Sequence, residues 1–461
     1  MKLTFHGGAQ SVTGANYLLE ADLNGQKTKI LVDCGLQQGS NFSERQNWNP
    51  FPYNPATIDA IFITHAHIDH TGRLAKLVKD GFHGTVYSTP ATRDFAELLL
   101  LDSDHILEKE AEYFQKPILF DQADIGRLMT QWRGVEYHQP VIVGPFKVTM
   151  YNAGHILGSS FFEVDVDASI TESGIKEKII FSGDLGNSPA PLIGSPEIFH
   201  DNPTYCLVES AYGDRLHEQE GERREILERV VAETVHRGGT LVIPAFAMER
   251  TQALLFELDY LVDRGRLPKV PIFLDSPLAI KLTDVYARYR RYFVTGLLPS
   301  KNSPLHFFNF KGLHMTPTTE ASKAINDVIG PKIIIAGSGM SHGGRILHHE
   351  QHYLPDQKST LLIIGYQAYG SMGRRILEGA KSVKIFGAEV AVNCQVKAIG
   401  GYSAHADQKQ LLQWLSPMRL TLKKIFVVQG EAPASQALAQ KAIGELAIKA
   451  EVPSPGQEVL I

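Results

Sequence analysis

Residues 60–70 read AIFITHAHIDH. An apolar run, AIFIT, opens directly into four metal-capable side chains: His65, His67, Asp69 and His70. The run predicts a short strand, and the polar residues after it a strand-to-helix turn that aims them into one cavity. Clustered imidazoles and carboxylates suit zinc and metal-assisted hydrolysis. A His-rich surface loop is the plainer explanation. It fits poorly, because further His and Asp residues recur at other strand ends, each beside glycine.

Those strand ends lie on both sides of the motif. KILVDCG (29–35), KVTMYNAGH (147–155), KIIFSGDLG (178–186) and YCLVESAYG (205–213) each pass from an apolar run into polar residues and glycine. Strand ends of this kind carry the chemistry of α/β enzymes. Helical spacing marks residues 71–80 and 92–115, the leucines at 98–101 reading as helix core. Beyond residue 210 a charged segment runs into an amphipathic helix that stops at Gly238-Gly239. Four strand–turn–helix units follow, at 240–261, 269–289, 332–354 and 359–380, and predict a separate parallel α/β domain. Short strands, a helix at 407–416, a strand at 424–428 and a helix near 433–448 complete the chain.

The 461 residues allow two to three domains. No apolar run is long enough to span a bilayer, and the N-terminus lacks a signal-peptide pattern. Cys34, Cys206 and Cys394 form no CxxC pair, so neither a disulfide framework nor a thiolate zinc site is indicated and a cytoplasmic protein is expected. A net charge of −5 argues against charge-driven coating of nucleic acid, yet leaves room for a local basic cleft.

HAHIDH, His155 in NAGHILGSS, Asp184 in FSGDLG and Asp33 in LVDCG together resemble the metallo-β-lactamase fold. ESAYGDR (209–215), the long α/β insertion and GGYSAHAD (400–407) look like its β-CASP nuclease branch. IPAFAMERTQ, LDSPLA, GSGMSHGGRILHH and GYQAYGSMGRRI match its bacterial and archaeal cleavage-factor members. The resemblance covers essentially the whole chain. It implies an α/β architecture: an αββα metallo-β-lactamase domain from residues 1–208 and 396–461, with a parallel α/β β-CASP domain inserted at 209–395 and the active site in the cleft.

The same resemblance assigns roles. His65, His67 and His155 would bind one Zn2+, Asp69 and His70 a second, and Asp184 would bridge them. Asp33 would stand behind the ligands and orient their loop. Glu209 would hold His405, which protonates the leaving oxygen, so Asp69, Asp184, Glu209 and His405 form the catalytic set. The implied reaction is hydrolysis of single-stranded RNA by a metal-bound hydroxide, leaving a 5′ phosphate and a 3′ hydroxyl. A homodimer is the assembly that relatives suggest.

One position departs from the family. RNA-processing relatives usually carry His-Gly-Glu where this chain reads Gln429-Gly430-Glu431. An amide oxygen is a poorer zinc ligand than imidazole, so the second site is expected to be weaker or to favour Mn2+. Gln429 therefore keeps alive an alternative, a catalytically weakened RNA-binding or scaffold member. A small-ester or thioester hydrolase is a third reading, opposed by the insertion and the SAHAD segment.

Other residues weigh less. Asp33 also reads as a turn cap and His405 as part of a capped helix start. Ser338, Gly339, Arg345, Arg374 and Arg375 in the glycine-rich turns are expected phosphate contacts, and Arg250 a weaker one. Tight strand–helix turns would equally require those glycines. His342, His348, His349 and His352 read as a solvated helix face, and His6 and His138 as ordinary surface or core residues.

Overall fold

The computed structural model describes all residues except 40, 172–173, 191, 218–222, 295–307, 366, 368–369 and 400–402. The start of GGYSAHAD and part of GYQAYG lie outside the described residues. The chain divides into two compact units, Met1–Leu216 with His405–Ile461, and His217–Ala404.

The first unit holds two seven-stranded sheets. One runs Glu458–Leu460, Lys2–Gly7, Asn16–Leu23, Gln26–Val32, Ala60–Phe62, Thr85–Ser88 and Trp132–Gly134 in spatial order. The other runs Ala450–Glu451, Lys424–Val428, Tyr205–Glu209, Glu177–Phe181, Ser160–Val166, Phe146–Asn152 and Val141–Val143. Strand alternation explains their stacking. Phe162, Ile179, Phe181, Leu207 and Phe426 point into a core shared with Phe5, Ile30, Val32 and Phe62 of the first sheet. Their neighbours Phe161, Ile180, Cys206, Val208 and Val427 point the other way, onto Leu411 and Leu415 of helix Gln408–Leu415 and Leu438 and Ala442 of helix Ala432–Leu446. The result is the expected αββα arrangement.

The described residues of the second unit hold a six-stranded sheet in the order Leu313–Met315, Ile272–Asp275, Lys332–Ala336, Thr240–Pro244, Thr360–Ile363 and Gln395–Ala398, and an antiparallel pair, Ser382–Ile385 with Ala388–Ala391. Every pairing within the six-stranded sheet is parallel. Its central strands, Lys332–Ala336 and Thr240–Pro244, are buried throughout and mostly apolar, as a sheet covered on both faces requires. Each expected strand–turn–helix unit is present, the helices being Arg250–Asp263, Pro277–Arg288, Ile346–Tyr353 and Met372–Leu377.

Two expectations need adjustment. The helix expected at 71–80 is two pieces, Ile68–Thr71 and Leu74–Lys79. In the leucine run, Leu100 is buried but Leu101 is exposed, so only part of the run is helix core. No helix among the described residues is long and apolar enough to cross a membrane.

Candidate metal centre

Strand Ala60–Phe62 delivers Thr64 and His65 to the end of the first sheet, where both are buried. Asp33 leaves strand Gln26–Val32 with a φ of 59° and is fully buried. Its carboxylate accepts from the Thr64 N–H and hydroxyl, each at 2.8 Å, and lies 2.7 Å from His70 Nδ1. The His70 ring is thereby fixed with Nε2 facing the cavity. Glycine makes the close approach possible: a Cβ on Gly35 would stand 1.5 Å from the Asp69 carbonyl oxygen.

The second sheet supplies the opposite wall. His155 follows Phe146–Asn152, and its N–H donates to Ser159 Oγ at 3.0 Å. Asp184 follows Glu177–Phe181 and is buried. The loops that carry these two touch through Gly186, where a Cβ would meet the Gly154 carbonyl oxygen at 1.8 Å.

Four donor atoms converge. His67 Nδ1 lies 3.1 Å from His65 Nε2 and 3.2 Å from His155 Nε2. Asp184 Oδ2 lies 3.4 Å from His65 Nε2 and 3.5 Å from His155 Nε2. Tetrahedral zinc with bonds of about 2.0–2.1 Å sets its donors about 3.3–3.4 Å apart, so the donor set fits that ion. The other oxygen, Asp184 Oδ1, faces a second group: His70 Nε2 at 3.5 Å and Gln429 Nε2 at 2.7 Å. Asp69 Oδ2 stands 3.8 Å from His70 Nε2. The two faces of one carboxylate thus address two sets of donors.

Glu209 ends strand Tyr205–Glu209 and is fully buried. It accepts from the N–H groups of Leu185, at 2.7 Å, and Ala211, at 3.2 Å. Both of its oxygens lie 3.3 Å from His405 Nδ1. His405 bridges to Gly186 and lies 3.9 Å from Asp184 Oδ2.

Electrostatics follow from burial and neighbours. Burial and the surrounding imidazoles hold His65 well below its ordinary pKa, which leaves it neutral with a lone pair to offer. Burial pushes Asp184 up to about 6, against the pull of His70 and His405. For His70, burial disfavours charge, but Asp184, Asp33 and Asp69 prevail and raise it to about 10. The rise records the negative field of those three carboxylates, the same field that a cation at this position would meet. His405 is likewise disfavoured by burial, yet Glu209 and Asp184 raise it to about 9.

The expected phosphate contacts sit in the second unit. Arg345 directs Nη1 to Asp275 Oδ1 at 2.7 Å and to the Thr316 carbonyl at 2.6 Å, and Nη2 to the Pro317 carbonyl at 3.2 Å. Its charge is matched by a buried carboxylate. Ser338 Oγ accepts from the N–H groups of His342 and Gly343 within its own turn. A Cβ on Gly339 would strike the Phe246 ring at 2.4 Å. Arg374 pairs with Glu378 one helical turn on, and Arg375 is exposed. His349 is buried against Asp275 rather than solvated, while His342, His348 and His352 are exposed. Among the described residues, every cluster of three or more metal-capable side chains lies in the first unit.

Sequence reasoning passed over Thr64, which ties Asp33 to His65 through a 3.0 Å contact at Nδ1. It also passed over Tyr212, stacked at 6.1 Å on His405. Their only signals were adjacency to His65 and to Glu209.

This fold and donor set define a metal-dependent hydrolase, and the chain belongs to the metallo-β-lactamase superfamily in its β-CASP branch. Models of the metallo-β-lactamase superfamily domain, the Beta-Casp domain and the Zn-dependent metallo-hydrolase RNA specificity domain match residues 18–174, 251–376 and 389–453. Ribonuclease TTHA0252 of Thermus thermophilus is 37% identical over 90% of each chain. Transcription termination factor FttA of Methanosarcina mazei is 29% identical over 97% of this chain and 70% of its own. Cleavage and polyadenylation specificity factor subunit 3-I of Arabidopsis thaliana is 32% identical, over 90% of this chain and 57% of its own. A crystal structure of an Enterococcus faecalis protein of unknown function shares the fold, with a TM-score of 0.56 at 12% identity over 100% of this chain and 99% of that one.

Proposed function

We propose that this chain is a metal-dependent ribonuclease that hydrolyses phosphodiester bonds of single-stranded RNA. The observation that carries the reading is the convergence of His65, His67, His155 and Asp184 on one point, beside a buried Glu209–His405 pair. In this reading the three histidines and Asp184 would hold one Zn2+, and Asp69, His70 and Gln429, with Asp184 shared, would hold a second ion, Zn2+ or Mn2+. When bound, such ions supply an activated water and neutralise charge on the phosphate.

The chain's own groups do the rest. Asp33 fixes the face that His70 presents. Glu209 holds His405 through Nδ1, and the raised pKa of about 9 keeps that imidazole protonated near neutral pH. The Nε2–H edge is then available to deliver a proton to the departing 3′ oxygen. Exposed Arg375, with Arg374, remains the better candidate for contact with RNA phosphates; Arg345 is the weaker one, given its pairing with Asp275. The unpaired cysteines fit a cytoplasmic setting.

A labelled single-stranded RNA incubated with purified protein tests the reading. Cleavage that chelator abolishes, and that is lost in Asp184→Ala and His67→Ala, is expected. Turnover by either variant at normal metal loading would overturn the mechanism. RNA binding without cleavage would favour the scaffold reading, and turnover of thioesters or lactones alone the small-ester reading.

A further inference from the structure

Gln429 follows strand Lys424–Val428 with a φ of 50°, and its N–H is anchored on the Gly8 carbonyl oxygen at 2.6 Å. The side chain is buried, with Nε2 2.7 Å from Asp184 Oδ1 and 3.2 Å from His70 Nε2. A carboxylate oxygen only accepts, so the amide nitrogen, not the amide oxygen, must face Asp184. That NH2 lies between the two groups, Asp184 Oδ1 and His70 Nε2, that a second cation would share. Asp184 Oδ2, by contrast, faces two imidazoles and carries no such donor from Gln429.

We propose that the Gln429 carboxamide is a removable stand-in for the second cation. It holds Asp184 Oδ1 in place, and fills the space before His70 Nε2, while one ion occupies the histidine-rich position. A second ion enters only when the carboxamide turns its oxygen inward or swings away. The two positions therefore fill in sequence, with the second handicapped by the hydrogen bond that must be broken. The inference rests on the metal centre proposed above and specifies its order of loading.

The experiment is a zinc titration of the metal-stripped 461-residue chain, with ions per chain counted by native mass spectrometry and no activity measured. For the wild type, a one-ion species should accumulate well before a two-ion species, the steps separated by at least about tenfold in zinc, as a hydrogen bond to a charged group implies. Gln429→His, which supplies a ligand and removes the amide, should bring the steps together and leave the first unchanged. Gln429→Met, of similar length but unable to donate, should also ease the second step, though less. The first step serves as the folding control for both variants. Filling of both positions together in the wild type would overturn the inference and leave the metal centre standing. So would an unchanged second step in both variants. A wild type that takes up no ion would remove the proposed centre itself, and the inference with it.

Discussion

Asp33 sits at a strained backbone angle, fully buried, with three partners on one carboxylate: Thr64 N–H, Thr64 Oγ1 and His70 Nδ1. An asparagine there would keep the shape but lose one acceptor and the charge. Asp33→Asn should lower zinc affinity about 10- to 100-fold, read by competition with a chromogenic chelator, while circular dichroism stays native. His405→Ala should behave oppositely. Metal content should stay normal while kcat falls by about 10²- to 10⁴-fold, because the change removes only the group proposed to deliver the proton. HAHIDH was legible because its donors are contiguous and chemically unmistakable. The donor role of Gln429 was not, because it depends on which amide atom faces Asp184, and only the placement of the strand Lys424–Val428 decides that.

Helices show where local pattern yields to tertiary contacts. Periodicity over 71–80 predicts one continuous helix, yet the chain breaks between Thr71 and Leu74. The carbonyls of Ile68, Asp69 and His70 are claimed by the N–H groups of Leu36, Ala15 and Cys34, and Arg73 N–H turns to the Cys34 carbonyl. Holding the ligand loop outweighs helical continuity there. Helix Gln408–Leu415, by contrast, begins where its sequence indicates, on a capping box between Asp407 and Gln410. Asp407→Ala should cost about 1 kcal/mol in urea unfolding. In helix Ile346–Tyr353, burial raises Glu350 to about 7, against a hydrogen bond from Ser341, and its Oε2 finds no partner among the described residues. A carboxyl with a raised folded pKa stabilises the fold below its unfolded pKa, and that contribution is lost as pH rises through the folded value. Thermal stability should therefore carry a downward slope from about pH 4.5 to 7, and Glu350→Gln should flatten it, gaining roughly 2–3 kcal/mol at pH 8. An unchanged slope in the variant would show that Glu350 is ionised at no cost.

At the scale of the molecule, the two units have separate cores, and the candidate ligands all belong to one. A ligand that binds only the folded state stabilises only the unit that holds it. Calorimetry of the full chain should show a transition that moves down when zinc is stripped, and a second that does not move. A uniform shift of all unfolding would contradict the partition. The general architecture was legible from motif order and from the four strand–turn–helix units. The stacking of the two sheets was less so, because it rests on contacts between residues far apart in sequence, such as Phe5 with Phe426.

That separation has a consequence for biogenesis. Glu209 ends a strand whose partner, Lys424–Val428, is translated only after the entire second unit, and the strand Lys2–Gly7 waits longer still for Glu458–Leu460. Non-local pairings form last, and a growing polypeptide that has reached HAHIDH has not yet reached His405 or Gln429. With His405 and Gln429 in the roles proposed above, a chain that stops before residue 405 lacks both and is expected to leave RNA uncut, the message that encodes it included.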